Sequence, residues 1–387
     1  MSSPQTSPRN VGVDLLRAFS ILVVLADHLR GSPIEFSRSG PYVDKLYSLF
    51  DRGILGVSIF FVLSGYLITK TTMEREANIF SMSATRFYTY RIGRIVPLLT
   101  LVLLISVVIF TWRPQQYFSA SAFGFIYDVE GYPKYFWFWF SLIFFLRNWE
   151  RILSRHVFAG VQWDIIWSLA VEEQFYIMFP WVIRLSGTLE RLARVLIVVI
   201  VLGIASRAAA AILNFSFIAT MMNSFSCFEE LAIGVLCALF SRHLTIGRRQ
   251  ARLMTIAAAV AVFGAYLGSD VQGERAVLGP TILAMAVALF VLGSERAELF
   301  RGSLSHAVAR IGQLSYGIYL LHPLVLFLVS GFLDGMPRPA AFAVFLALCF
   351  CTAEVSFRLY EQPMNRTIRQ FFARRRTDRA TAPARAR

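Results

Sequence analysis

Apolar residues gather in blocks near 13–30, 53–70, 95–112, 166–184, 195–213, 224–240, 253–268, 276–293, 311–333 and 340–360. They are typically about 18–22 residues long, the length a helix needs to cross a bilayer. A further block, Tyr135–Leu146, is about 12 residues long and rich in aromatics, which suits a re-entrant or interfacial segment. The polar stretches between blocks divide by charge. Segment 71–94 holds Arg75, Arg86, Arg91 and Arg94; 185–194 holds Arg191 and Arg194; 241–252 holds Arg242, Arg248, Arg249 and Arg252; 294–310 holds Arg296, Arg301 and Arg310. Segments 214–223, 269–275 and 334–339 hold almost none. Basic loops mark the cytoplasmic side, so the pattern predicts about ten transmembrane helices with both termini cytoplasmic. Counting 135–146 as a full span would move the later Arg-rich loops outside.

The expected fold is therefore an all-α, polytopic helical bundle. A polar tail, 1–10, precedes a membrane domain, 11–363, and a basic cytoplasmic tail, 364–387, expected to be partly disordered. No internal repeat is visible, and no soluble domain is expected before the first span or after the last.

Composition agrees. Of 387 residues, 56% are apolar and 16% charged, and the mean hydropathy is +0.58. A soluble domain averages roughly 45–50% apolar and about 25% charged, so a disordered chain, a collagen and an ordinary cytosolic enzyme are excluded. The net charge of +14 would suggest nucleic acid in a soluble protein. Here it follows from the basic loops and tail, and no nucleic-acid reader motif is present. Cys227, Cys237, Cys349 and Cys351 lie in apolar blocks and read as small hydrophobes, not as a disulfide framework or metal site. The first block holds Arg17, Asp27 and His28 with no cleavage pattern after it, so it reads as a retained helix.

Ionisable residues inside spans are expensive and usually face an internal cavity. Three places stand out. In VDLLRAFSILVVLADH, Arg17 and His28 lie on one helix face, roughly 16 Å apart, with Asp14 one turn before Arg17. Imidazole suits a general base near neutral pH; the alternative is that these residues only mark the two membrane interfaces. In IIWSLAVEEQFYIMFP, Ser168, Glu172 and Tyr176 share a face, and Glu173 points about 100° away. A carboxylate there needs a cationic partner or a raised pKa, unless it only bridges helices. In RFYTYRIGRIVP, Arg86, Arg91 and Arg94 form a basic cluster suited to phosphate, or to topology and anionic lipid. In LSYGIYLLHPLV, Tyr319 and His322 are one turn apart beside Pro323, and His322 is as readily a packed residue as a chemical one.

Together these stretches resemble the bacterial membrane-bound acyltransferase type 3 family, whose members O-acylate surface glycans and related acceptors. The resemblance runs from Val11 to Pro363. It is carried by Arg17 and His28, by GVSIFFVLSGYLI, by Arg91 and Arg94 before an Ile-x-Pro, by Trp167–Glu172 (WSLAVE) and by SYGIYLLHP. The resemblance implies that His28 and Arg17 serve acyl transfer, that Arg91 and Arg94 serve the acyl-CoA donor, and that Glu172 is the regular carboxylate. Many members have Asp where this chain has Ser58, so no role transfers there. The resemblance also implies that, without the hydrolase-like domain fused to some members, the membrane domain completes the transfer itself or passes the acyl group to a separate protein.

The expected function is an integral membrane O-acyltransferase of the bacterial inner membrane, moving an acyl group, most simply acetyl, from acyl-CoA to a hydroxyl of a glycan or glycolipid. No tightly bound cofactor and no metal are expected; acyl-CoA is a donor substrate. Expected roles are His28 as base, Glu172 as orienter of its imidazole, Arg17 as oxyanion or phosphate partner, and Arg91, Arg94 and Arg86 as the donor site. Trp167, Ser168, Tyr176, Tyr319 and His322 are expected to line the substrate site. A covalent acyl-His intermediate is the alternative route. A transporter or flippase of glycan precursors is the alternative class, and it predicts repeats and broken helices that the sequence does not display.

Overall fold

The computed structural model describes residues 10–32, 34–37, 40, 42–43, 49–50, 52–112, 140–153, 165–268 and 275–381. The described elements are helices: α1 (Val11–Arg30), α2 (Gly53–Arg75), α3 (Ala84–Trp112), α4 (Arg147–Leu153), α5 (Ile166–Ser186), α6 (Leu189–Ile212) and α7 (Phe217–Met222). There follow α8 (Ser224–Ser241), α9 (Arg248–Gly268), α10 (Arg275–Ala297), α11 (Ser303–Gln313), α12 (Ser315–Leu333), α13 (Arg338–Ser356) and α14 (Gln362–Thr381). Among the described residues, extended pairing is limited to one bridge, Ser37 with Pro337.

Among the described residues, eight helical stretches are long and apolar enough to cross a membrane: α2, α3, α6, α7 with α8, α9, α10, α12, and α13 continuing into α14. The other two blocks of the expected ten fall on α1 and α5, helices of 20 and 21 residues whose ionisable groups keep them out of this apolar set. Large apolar side chains such as Val198, Val201, Val260, Phe263 and Ile282 point outward, as a lipid-facing surface requires. The chain is thus an all-α polytopic membrane bundle. Residues 135–139 of the expected interfacial block lie outside the described residues, and residues 140–143 form a helical turn.

Polar contacts sort the helix ends into two sets. At one end, Asn10 bonds Ser294, Arg242 donates to the Met73 carbonyl, Arg252 to the Ala297 carbonyl, and Arg310 pairs with Glu354 at 2.7 Å. At the other, Arg52 donates to the carbonyls of Tyr266 and Leu267, and Arg207 to that of Val277. The Arg-rich segments 71–94, 241–252 and 294–310 all fall at the first end, called the basic end below.

Within the tail 364–387, expected to be partly disordered, residues up to Thr381 belong to a helix beginning at Gln362, and residues 382–387 lie outside the described residues. Packing supplies the reason. Asn365 and Ile368 lie over Gly93 of α3, where a Cβ would stand 3.1 Å from the Asn365 oxygen. The connection from α13 passes through a π-helical turn, Phe357–Glu361, which offsets the register by a residue.

At the centre, α2 packs against α8, α1 and α10. The α2–α8 crossing is made by two glycines facing each other's backbone. A Cβ on Gly65 would collide with the Leu231 carbonyl, and one on Gly234 with the Val62 carbonyl. Small residues at such a crossing let two backbones approach closely, which is where helices in lipid gain packing energy. Beside this crossing, Arg207 of α6 and Glu229 of α8 form an ion pair, 1% and 0% exposed. Thr281 donates to Glu229 at 2.5 Å, and Gly203 leaves the space the carboxylate occupies.

Two stability outcomes are expected. Gly65→Val should destabilise the purified chain by about 1–3 kcal/mol or more, because carbonyl backbone cannot yield as a side chain can; thermal unfolding in detergent measures it. Arg207→Met should cost about 3–5 kcal/mol by leaving the Glu229 charge buried and alone, and Arg207→Met with Glu229→Leu should recover much of the loss. A double variant no better than the single one would show that packing, not charge, dominates there.

Candidate functional site

The sequence element HP at residues 322–323 organises the first part of the site. In a helix, the amide of residue 323 would bond the carbonyl of residue 319. Pro323 has no amide hydrogen, so the Tyr319 carbonyl is released. The His322 ring takes it: Nδ1 lies 2.7 Å from the Tyr319 oxygen and 3.3 Å from the Ile318 oxygen. A carbonyl can only accept, so in the neutral ring Nδ1 carries the proton and Nε2 is an acceptor. Nε2 of His322 lies 2.8 Å from Nδ1 of His28. His28 Nδ1–H therefore donates, and the lone pair of His28 is left on Nε2. One proline thus sets two tautomers in series, with the basic nitrogen at the far end.

This arrangement corrects two expectations. The partner of His28 is His322, not Glu172. His322 is fully buried against backbone and the other imidazole, so it stands behind His28 and does not line the substrate space. Arg17 and His28 do share a face of α1, and both reach α12: Arg17 donates to Ser315 at 3.0 Å, seven positions before His322. Asp14 accepts from Gln313 at 3.3 Å.

A cavity of about 820 Å³ opens among α1, α2, α3, α5 and α12. Its lining includes Arg17, Ser64, Arg91, Arg94, Ser168, Glu172, Tyr176 and Tyr319. Glu172 is engaged here: it accepts from Ser64 Oγ at 2.6 Å and from Tyr176 OH at 3.3 Å. The Arg91 guanidinium stacks on the Tyr176 ring, 4.1 Å from its centroid. The carboxylate thus anchors the polar wall facing Arg91 and Arg94. Tyr319 bonds Ser168 at 2.7 Å and donates to the Ile165 carbonyl, and its ring centroid is 5.8 Å from that of His322. The cavity therefore runs from the basic end to the residue that adjoins the histidine pair.

Trp167 does not line this cavity. Its ring packs edge-on against Phe61 and faces a smaller cavity of about 250 Å³ with Ser58, Arg207, Cys227 and Glu230. Arg86 lies farther toward the basic end, paired with Glu76 at 3.1 Å, in a third cavity of about 610 Å³ that shares Leu67, Arg91 and Arg94 with the main one.

Nothing in the local sequence of α2 marks Ser64 as the partner of Glu172, 108 positions away. Glu229 and Glu230 also went unmarked, although an adjacent carboxylate pair inside an apolar block is the same signal that identified Glu172 and Glu173. Arg151 of α4 lies near enough to act electrostatically on His28 and Tyr319. Burial and Arg147 push its pKa down to about 10, which leaves it cationic at neutral pH. Its segment lies outside the apolar blocks, so hydropathy gave no reason to place it near His28.

The family model described as an acyltransferase domain matches residues 10–357. The O-acetyltransferase OatA of Staphylococcus aureus is 25% identical over 393 residues, an alignment covering 95% of this chain and 58% of that protein. The peptidoglycan O-acetyltransferase OatA of Listeria monocytogenes is 26% identical, with 92% of this chain and 55% of the relative covered. The chain thus spans a little over half the length of these relatives. No solved structure matches it. With the family pattern extending over nearly the whole chain, and with its Arg, His and carboxylate positions converging on one cavity and the ring beside it, the chain belongs to the acyltransferase type 3 family.

Proposed function

We propose that the chain is an integral membrane O-acyltransferase of the bacterial inner membrane. It moves an acyl group, acetyl in the simplest case, from acyl-CoA to a hydroxyl of a surface or secreted glycan or glycolipid. The observation that carries the reading is the cavity lined by Arg91, Arg94, Glu172 and Tyr319, whose Tyr319 ring adjoins the His322 partner of His28. Family membership favours this reading over a transporter, and the names of the relatives favour a glycan acceptor.

In this reading the basic end faces the cytoplasm, where CoA is available. The donor phosphates meet Arg91 and Arg94, and the pantetheine arm extends up the cavity toward His28. His28 Nε2 takes the acceptor hydroxyl proton as the oxygen attacks the thioester carbonyl. Collapse of the tetrahedral intermediate breaks the C–S bond, and the imidazolium returns the proton to the departing thiolate. His322 holds the His28 tautomer, the place a carboxylate takes in a Ser–His–Asp array. Arg17 supplies positive charge for the oxyanion or a phosphate. Glu172 holds Ser64 and Tyr176 and balances the arginine charge.

Mass spectrometry of envelope and secreted glycans from a deletion strain should show one sugar lacking one acyl mass. The wild-type gene should restore it and His28→Ala should not; an unaltered glycan profile would count against the reading. In a transfer assay at matched protein levels, His28→Ala and His322→Ala should each lower the rate by about 10²–10⁴-fold. Pro323→Ala should also lower it, since a new amide competes for the Tyr319 carbonyl. Glu172→Gln should weaken donor affinity more than it lowers the rate at saturating donor. Full activity in His322→Ala would refute the tandem-histidine arrangement.

A further inference from the structure

The basic end holds more guanidinium groups than the main cavity uses. Arg91 and Arg94 line both the main cavity and the 610 Å³ cavity beyond it; Arg75, Arg86 and Arg369 line only the outer one. Arg86 is neutralised by Glu76. Among the described residues, neither Arg75 nor Arg369 makes an ion pair. Instead they share one aromatic ring: their guanidinium carbons lie 4.0 and 4.7 Å from the centroid of Tyr90. Each cation–ring contact is favourable alone, but two cations gathered on one ring repel each other unless an anion joins them. Arg369 comes from α14, which lies past the residues 10–357 matched by the family and is seated on α3 through Asn365 and Ile368.

We infer that Arg75 and Arg369, gathered on Tyr90, form a second phosphate subsite for a phosphomonoester dianion, distinct from the Arg91/Arg94 site. A phosphomonoester carries a charge of about −1.5 to −2 at neutral pH, which suits two guanidinium groups that make no ion pair among the described residues, with only the Glu74 carboxylate acting on Arg75 from nearby. Resting on the donor reading above, this assigns the subsite to the 3′-phosphate of CoA, with Arg91 and Arg94 left for the pyrophosphate. The C-terminal helix is then part of the donor site.

The test compares CoA with 3′-dephospho-CoA, binding to the full chain in phosphatidylcholine nanodiscs. Wild type should prefer CoA by about tenfold or more, the scale of one charge-assisted phosphate contact. Arg369→Gln and Arg75→Gln should bring CoA affinity down to that of dephospho-CoA and leave dephospho-CoA binding nearly unchanged. Arg94→Gln should weaken both ligands. Arg366→Gln, which removes the same charge from α14 outside the cavity lining, should preserve the preference. The subsite is overturned if wild type binds both ligands equally, or if Arg369→Gln weakens both alike. Absence of binding by either ligand to wild type would overturn the donor reading and the assignment with it. Loss of the CoA preference in nanodiscs containing phosphatidic acid would reassign the subsite to a lipid headgroup and overturn the CoA assignment.

Discussion

A carbonyl that its own helix cannot satisfy sits at the origin of the site. Pro323 frees the Tyr319 oxygen, and in a membrane interior a free carbonyl costs several kcal/mol unless a donor reaches it. His322 is that donor. Once its Nδ1 proton is committed, its Nε2 accepts, and His28 must turn its own Nδ1 proton inward. The basic nitrogen on His28 is therefore chosen by a backbone constraint one turn away.

Close backbone packing makes room for that chemistry. Gly65 and Gly234 draw α2 and α8 together, and Gly56 brings α2 against the Ser20 carbonyl of α1. With α2 so placed, Ser64 points at Glu172 while Ser58 and Phe61 face Trp167 and Glu230. The buried Arg207–Glu229 pair then stands on the far side of α8, separated from the main cavity. Charges in the bundle thus divide into the enclosed Arg207–Glu229 pair and a set along the cavities, where Arg91 and Arg94 stand opposite Glu172 and Arg86 pairs with Glu76.

That second set gives the molecule its electrical direction. Guanidinium groups accumulate toward the basic end, and the tandem imidazoles lie beyond Tyr319 at the other end of the main cavity. Under the proposed function, the basic end is the one at which an anionic donor would be held by its phosphates. Low-dielectric walls focus such a field more strongly than bulk water permits.

The sequence by itself determined the class of fold, because block length and charge placement are local quantities: a run of about 20 apolar residues must be a helix in a bilayer. It also marked much of the polar lining of the candidate cavity, since each charge inside a span is costly enough to advertise itself, as Arg17, Glu172, Arg91 and Arg94 did. Tertiary structure alone decided the pairings. His28 met His322 and not Glu172 because α1 and α12 lie side by side, while Glu172 faces α2. Trp167 turned toward the smaller cavity because Phe61 occupies the space between. The C-terminal segment reads as a basic tail in isolation, and its described part is a helix with Asn365 and Ile368 seated against Gly93. Helical periodicity tells which residues share a face; which face meets which neighbour depends on contacts hundreds of residues apart, and no local pattern records them.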